Sequence, residues 1–514
     1  MYVVDLLIDA PVLDSYRRRT PDPRLMHQAN AQTEVRLLRS ACTTWLTCFL
    51  SRQAKIEKLS DKVLLYIFCY YLDASPRLWP TLMHICRKWR RLVFASQRVL
   101  QLQLLFTHGT PVLETLDCWP TLPIVVQYGG SPALSPPASE DDDNIMAALK
   151  HSDRVTSISL TVTSSLLKKL SALERPFSEL EDLVLLSRNG DSPTLPRAFL
   201  WGSRRRRLRL TGMTSPALLQ LLNSSRSLVY LHLHEVLDSS HIPPDALTRA
   251  LSGMVQLRSI SLHFLSTANH LTPMLPSGEV VVLPALSRLD FKGTVKYLED
   301  LVARIETPLL EDIEVSFLDE SNFELPKFHT FTDRIGMHKL HRRADIMSSE
   351  CAISISLIQP GTPTCLKFHL FREPLSEQLL FMARICVHFS AFLLNVEDLH
   401  ISVTRQSHGY DNGQWLQPLN SFTGVKWFHV VGNLSTDIVR ALQLSSARRE
   451  TLLPALHKLR IRQPVPRYAP LTRFAMSLMT SRRLSGQPIA VEYERLWHIS
   501  ERRASGTGTV HNQC

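Results

Sequence analysis

The 9 cysteines of this 514-residue chain are scattered, and no Cys-x-x-Cys pair occurs. Cys42 and Cys48 form the only close pair. This spacing excludes a zinc ribbon, a dithiol redox motif and a disulfide framework, and it points to a reducing compartment with mostly buried thiols. Long apolar runs are missing too. The longest, residues 41–50, is flanked by Arg39 and Arg52 and is far too short to span a bilayer. Residues 1–13 are apolar, but Asp5 and Asp9 interrupt them and no basic segment precedes them, which argues against a signal peptide. There is no Walker loop, no Gly-x-Ser-x-Gly elbow and no His-Glu-x-x-His helix. The expectations are no catalytic residue, no cofactor, no metal, no membrane partner, and a cytoplasmic or nuclear location.

With 44% hydrophobic and 20% charged residues, the chain can bury a large core. Its net charge of +11 permits an acidic partner or a nucleic acid. The charge is spread along the chain without a recognisable nucleic-acid module, so a nucleic-acid partner is not expected. The most basic run, Arg204 to Arg207, leads into Leu208-Arg209-Leu210 and reads as an exposed approach to a strand, with a nuclear localisation signal as the other reading.

Residues 1–58 read as a partly helical or disordered leader. Residues 59–96 carry the sharpest local pattern. Ser60 can cap a helix with Asp61 in its first turn, and Val63, Leu64, Ile67, Phe68 and Tyr71 recur at helical spacing. Ser75-Pro76 and Pro80 are further start signals. Leu82, Ile85, Cys86, Trp89 and Val93 form a second apolar stripe flanked by Arg87, Lys88, Arg90 and Arg91. A unit of this size rarely buries its own apolar faces, so it should lean on something else. Residues 97–128 read as a connection with first repeat-like strands, including Leu100-x-Leu102-x-Leu104. Residues 129–144, ending in Glu140-Asp141-Asp142-Asp143, read as a flexible acidic loop. Cys118, in an apolar run, reads as core.

Residues 145–500 repeat apolar-x-x-apolar-x-apolar, for instance at Leu180/Leu183/Leu185, Leu228/Leu231/Leu233, Leu257/Ile260/Leu262, Leu286/Leu289/Phe291 and Phe422/Val425/Trp427. Starts in the first half are separated by about 23 to 29 residues, the leucine-rich-repeat period. Segments between them look helical, such as the one opened by Ser215 and Pro216. Residues 320–362 fit no repeat, and residues 353–357 alternate like a strand of their own. The tail, 501–514, is polar and reads as disordered.

Side chains alternate along a strand, so the residue between the last two apolar positions should face away from the helices. This rule selects Ser159, Val184, Arg209, His232, Ser261, Asp290, Glu314, His400, Lys426 and Arg460, a row that changes from acidic to basic. His232 and His234 share one strand face, but no third or fourth ligand stands at a recognised spacing, so they read as an exposed polar pair.

Leu59-Ser60-Asp61 with Leu64-Leu65 and Ile67-Phe68, followed by Ile85-Cys86-Arg87-Lys88-Trp89-Arg90-Arg91-Leu92, resembles an F-box. The nearest style is that of fungal F-box proteins with irregular leucine-rich repeats, in which a phrase like Trp119-Pro120-Thr121-Leu122-Pro123 follows the box. Ser60 stands where the family usually has proline. The resemblance implies an α/β protein: a three-helix F-box, then a leucine-rich-repeat solenoid with a curved, mostly parallel sheet and helices on its convex side. It implies docking of a Skp-family linker protein, and through it a cullin, by Leu59, Ser60, Leu64, Ile67, Phe68, Leu82, Ile85, Cys86 and Trp89. The concave row would present an unidentified protein target to a ubiquitin ligase. The alternative is a non-degradative scaffold using the same two surfaces.

Overall fold

The structure is a computed structural model. It describes residues 59–74, 78–119, 121–128, 139–173, 175–187, 204–212, 217–236, 242–264, 280–317, 324–337, 341–349, 352–362, 365–371, 375–403, 415–432, 435–447, 452–463 and 468–495. The leader 1–58, the acid-free part of the proposed loop (129–138), Ser75, Pro76, Ser215, Pro216 and the tail 501–514 lie outside these residues. The chain divides into two compact units, Met1–Leu105 and Phe106–Cys514.

In the first unit three helices follow one another: Asp61–Ala74, Trp79–Met83 and Arg87–Ala95. The first begins where acid and hydroxyl signals place it, with Asp61 in its first turn and Ser60 Oγ accepting from the Val63 N–H at 3.4 Å. The third is capped by Cys86, whose Sγ accepts from the Trp89 N–H at 3.5 Å. Phe68 and Trp89 meet edge to face, ring centroids 4.7 Å apart, and hold the first and third helices together. Lys88 adds a polar clasp: its Nζ donates to the Leu59 carbonyl at 2.7 Å and lies 3.2 Å from Asp61. The expected strand at 100–104 starts later. Gln101 adopts a left-handed conformation (φ 48°), so Leu100 and Leu102 belong to a turn and extended pairing begins at Leu104.

The strands run β1 (Leu104–Phe106), β2 (Ile124–Tyr128), β3 (Val155–Val162), β4 (Asp182–Ser187), β5 (Arg207–Thr211) and β6 (Tyr230–Val236). Next come β7 (Ser259–Phe264), β8 (Val281–Val282), β9 (Arg288–Gly293), β10 (Ile305–Glu306), β11 (Asp312–Phe317) and β12 (Arg343–Ser348). The last are β13 (Ala352–Ile358), β14 (Cys365–Phe371), β15 (Asp398–Val403), β16 (Trp427–Gly432), β17 (Lys458–Gln463) and β18 (Ala490–Arg495). Sixteen form one sheet in the order β1-β2-β3-β4-β5-β6-β7-β9-β11-β14-β13-β12-β15-β16-β17-β18, and β8 pairs with β10 apart from it. From β2 onward neighbours run parallel, except that β13 is antiparallel to both β12 and β14. The protein is therefore α/β with one large, mostly parallel sheet.

Register stacks like on like. Leu183, Leu208, Leu231, Ile260, Leu289 and Ile313 are successive neighbours, and Leu185, Leu210, Leu233, Leu262, Phe291 and Val315 form the rung two residues on. All are buried. Truncating one such leucine to alanine costs about 2–5 kcal/mol, because close-packed neighbours only partly refill the hole. Among the described residues, helices occupy several of the crossovers that parallel pairing demands. Ala217–Ser224 packs on Pro244–Leu251, that helix on Val295–Val302, and that in turn on Pro326–Arg334. Where the period breaks, β12, β13 and β14 insert as an up-down-up meander in reverse spatial order, and Phe328, Phe368, Phe389 and Phe392 fill the core beside it.

Three local readings change. The acidic run is helical: Ser139–Leu149 is a helix whose start favours carboxylates, with Asp141 2.9 Å from His108 Nδ1 and Asp142 3.1 Å from Lys169 Nζ. Cys118 is exposed, because its helix Val112–Cys118 turns Val112 and Leu116 inward instead. Arg205, within the basic run, is fully buried, its main chain carrying the lead-in to β5. Burial pushes its guanidinium down to about 10. Among the described residues no helix is long and apolar enough to cross a membrane.

Candidate functional site

Two surfaces carry side chains that the core does not use, one in each unit. In the first unit the expected docking residues divide sharply. Leu64, Phe68, Leu82 and Trp89 are buried in the described structure and serve as core. Leu59, Ile67 and Cys86 are half-buried, while Ser60 and Ile85 are exposed. The helix Asp61–Ala74 instead presents Val63, Tyr66 and Tyr70, 44%, 67% and 55% exposed, at i, i+3 and i+7. Those positions fall on one side of a helix, so the outer stripe is apolar as well as the inner one. Helical spacing alone puts Val63 with Leu64, Ile67 and Phe68 on one apolar face and does not separate the buried residues from the exposed ones. The signal it passed over was a helix apolar on both sides, with Tyr66 and Tyr70 four residues apart.

The second surface is the polar face of the sheet. Register places Ser159, Val184, Arg209, His232, Ser261, Asp290 and Glu314 in one continuous row from β3 to β11, as anticipated. The row continues through Lys367, Ser356, Asp345, His400, His429, Arg460 and Glu492. Lys426 is not in it. The pattern Phe422/Val425/Trp427 is out of phase by three residues: Phe428 and Val430 are the buried pair, and His429 takes the row position. Lys426 precedes β16 and pairs with Glu397 at 2.9 Å.

The expected passage from an acidic to a basic half also disappears, because Asp290 and Glu314 stand beside imidazoles or cations and Lys367 and Arg460 beside carboxylates. Glu314 lies 3.4 Å from His369, 3.7 Å from Lys367 and 3.9 Å from Arg288. The neighbouring His369, outweighing burial and aided by the Lys367 charge, holds Glu314 below its usual value. Arg460 lies 3.2 Å from both Glu492 and Glu494. His400 and His429 lie side by side, ring centroids 5.4 Å apart, and burial lowers both. They border a small hollow of about 170 Å³ with Arg460 and Arg462. A wider cleft of about 680 Å³ opens at the start of β4 to β6, where Arg207 reaches Asp182 at 3.3 Å and lies over the Tyr230 ring.

The densest cluster lies on β6, β7 and β9. His234 and His263 stack with ring centroids 4.0 Å apart and planes 10° from parallel. His234 Nε2 is 2.8 Å from Ser261 Oγ, which donates to Asp290 Oδ2 at 2.7 Å, and His263 Nε2 is 3.0 Å from the same carboxylate oxygen. Burial, reinforced by His263, holds His234 down to about 4. Burial alone would raise Asp290, but hydrogen bonds from His263 and Ser261 outweigh it and leave the carboxyl below its usual value. The reading of His232 and His234 as an exposed pair therefore fails. Both are half-buried, and the neighbours of His234 come from the next two strands, one and two repeat periods along the chain. The repeat register, rather than local spacing, was the signal that could have found them.

No protein-family model matches this chain, and no curated protein sequence matches it.

Proposed function

We propose that the protein is a two-surface adaptor: its short helical unit docks a Skp-family linker protein, and the polar face of its sheet holds a protein target for a cullin-type ubiquitin ligase. The observation that carries this reading is the stripe Val63, Tyr66 and Tyr70, with Ile85 48% exposed on the same small unit. A helix that seats one apolar side and shows another to solvent is built for a second polypeptide. Covering an exposed Val or Ile side chain contributes up to about 1.5–3 kcal/mol, and tyrosines add large, rigid contact area with a polar tip. The F-box resemblance of residues 59–96 supplies the chemistry of the partner. Repeats of strand and helix at leucine-rich-repeat period support reading the sheet as a solenoid, in which one residue per strand contributes to a continuous binding row. Wet, half-buried, locally paired polar groups suit protein recognition through hydrogen bonds more than a small-molecule pocket.

The test is co-purification with a Skp-family linker. Tyr66→Asp with Tyr70→Asp places two charges in the stripe without touching the core residues Phe68 and Trp89. Linker binding is expected to fall at least tenfold with the helical content of the protein unchanged. Undiminished binding by the folded double variant contradicts the docking assignment. The scaffold alternative is separated by target lifetime: an adaptor for degradation lengthens the half-life of its bound target when it is removed, and a scaffold does not.

A further inference from the structure

We propose that His234, His263 and Asp290 form a binding site for a divalent transition-metal cation of the zinc type, open to further ligands on the polar face of the sheet. The three residues can each offer one ligand atom, and those atoms lie within 4.8 Å of one another. Zinc binds imidazole nitrogen and carboxylate oxygen at about 2.0–2.2 Å, so donor atoms around a tetrahedral ion stand roughly 3.3–3.5 Å apart. His263 Nε2 and Asp290 Oδ2 are already 3.0 Å apart. His234 supplies the third donor, and to reach an ion held by the other two its ring must turn out of the stack on His263. Two imidazoles and one carboxylate select zinc, cobalt, nickel or copper over magnesium or calcium, which take oxygen ligands.

The backbone supports the same reading. The donors stand on three adjacent parallel strands, a frame that holds ligand positions better than loops do. Between Leu233 and Val236 the register against β7 shifts, so β6 carries an extra residue just after His234. Bulges of this kind gather beside functional sites, where they re-aim a side chain. Ser261, 2% exposed, has its Oγ 2.8 Å from His234 Nε2, 3.4 Å from His263 Nε2 and 2.7 Å from Asp290 Oδ2, so it holds the three donors together and an entering ion replaces its contacts to the imidazoles. His263 and Asp290 keep 28% and 22% of their side-chain surface accessible, enough for a water or a partner's side chain to complete the coordination. The imidazole protons then reside on Nδ1.

The experiment uses the full chain, stripped by chelator and dialysed against zinc ion, with bound metal counted by elemental analysis and affinity set by a competing chelator. Cobalt ion, added separately, reports coordination by its visible absorption. Wild type is expected to bind one equivalent more than His234→Ala/His263→Ala and to show a cobalt band that this variant lacks. His232→Ala, whose ring lies 5.9 Å from that of His234 but outside the trio, is expected to keep the full complement. If the double variant loses its fold by circular dichroism, Asp290→Asn decides: its zinc affinity is expected to fall at least tenfold. Equal metal content in wild type and all variants, or none in wild type, overturns the proposal.

Discussion

Glu299 belongs to the helix Val295–Val302, yet its carboxylate serves the following one. Its two oxygens accept from the Lys327 and Phe328 N–H groups at 2.9 and 2.8 Å, at the start of Pro326–Arg334, where Leu325 offers no side-chain cap. Glu299 is nearly buried, so these charge-assisted bonds act in a low dielectric and satisfy two otherwise orphaned donors. Glu299→Ala is expected to destabilise the protein by about 1.5–3 kcal/mol, read as a lower urea midpoint. An unchanged midpoint would show that water replaces the cap at no cost. His341 is the corresponding residue for pH. It is fully buried, and desolvation, offset in part by the Met337 backbone, pushes it from 6.5 down to about 4. In the unfolded chain the ring takes a proton below about 6.5, which the folded state refuses until about 4. Stability is therefore complete above pH 6.5 and falls as pH drops toward 4, by about 3 kcal/mol from this residue. His232, His234, His400 and His429 are lowered too and steepen the same window. Urea midpoints measured from pH 7 to pH 4.5 should show a shallower decline in His341→Phe than in wild type. Parallel declines would place the acid sensitivity elsewhere.

Close backbone approach, as well as apolar stacking, holds the chain ahead of β16. Gly424 sits just ahead of β16, and a Cβ there would lie only 2.3 Å from the Leu394 carbonyl oxygen. Backbone cannot yield as a flexible side chain does, so Gly424→Ala is expected to cost at least about 1–3 kcal/mol. A lowered thermal midpoint checks this, and an unaltered one would mean that the turn relaxes freely. Elements such as this one set what could be read from sequence. β3, β4, β6, β7, β9 and β11 are legible because each buries two apolar residues at a fixed offset, and Leu208/Leu210 on β5 and Leu366/Phe368 on β14, shorter patterns, are full members of the sheet. β8 and β10, two residues each, carry no such pair. The alternation at 353–357 correctly marks β13, but its direction and the reversed order of β12 to β14 depend on pairing partners that no local pattern encodes. β16 was misphased because Val425, Trp427, Phe428 and Val430 offer two overlapping patterns, and only burial distinguishes them. The site was legible by rows rather than by clusters. Ser261 and Asp290 were found as row members, whereas His263 was missed because it lies one rung beyond the row.

On the scale of the whole chain, two units carry complementary kinds of surface. The helical unit exposes tyrosines and aliphatic side chains, while the sheet offers rows of histidine, serine and paired charges. On that polar face Arg288, Lys458 and Arg460 are met by carboxylates at 2.6–3.9 Å. Exposed pairs of this type contribute little stability but fix side-chain geometry, which serves recognition. The adaptor reading needs the two surfaces to act separately: linker on one, target on the other. Hydrogen–deuterium exchange of the full chain, alone and with a purified Skp-family linker, measures this directly. The account predicts slowed exchange in residues 61–74 and around Ile85, with β6 to β9 unchanged. Failure to form a complex, or protection confined to the sheet while residues 61–74 exchange as before, would contradict it.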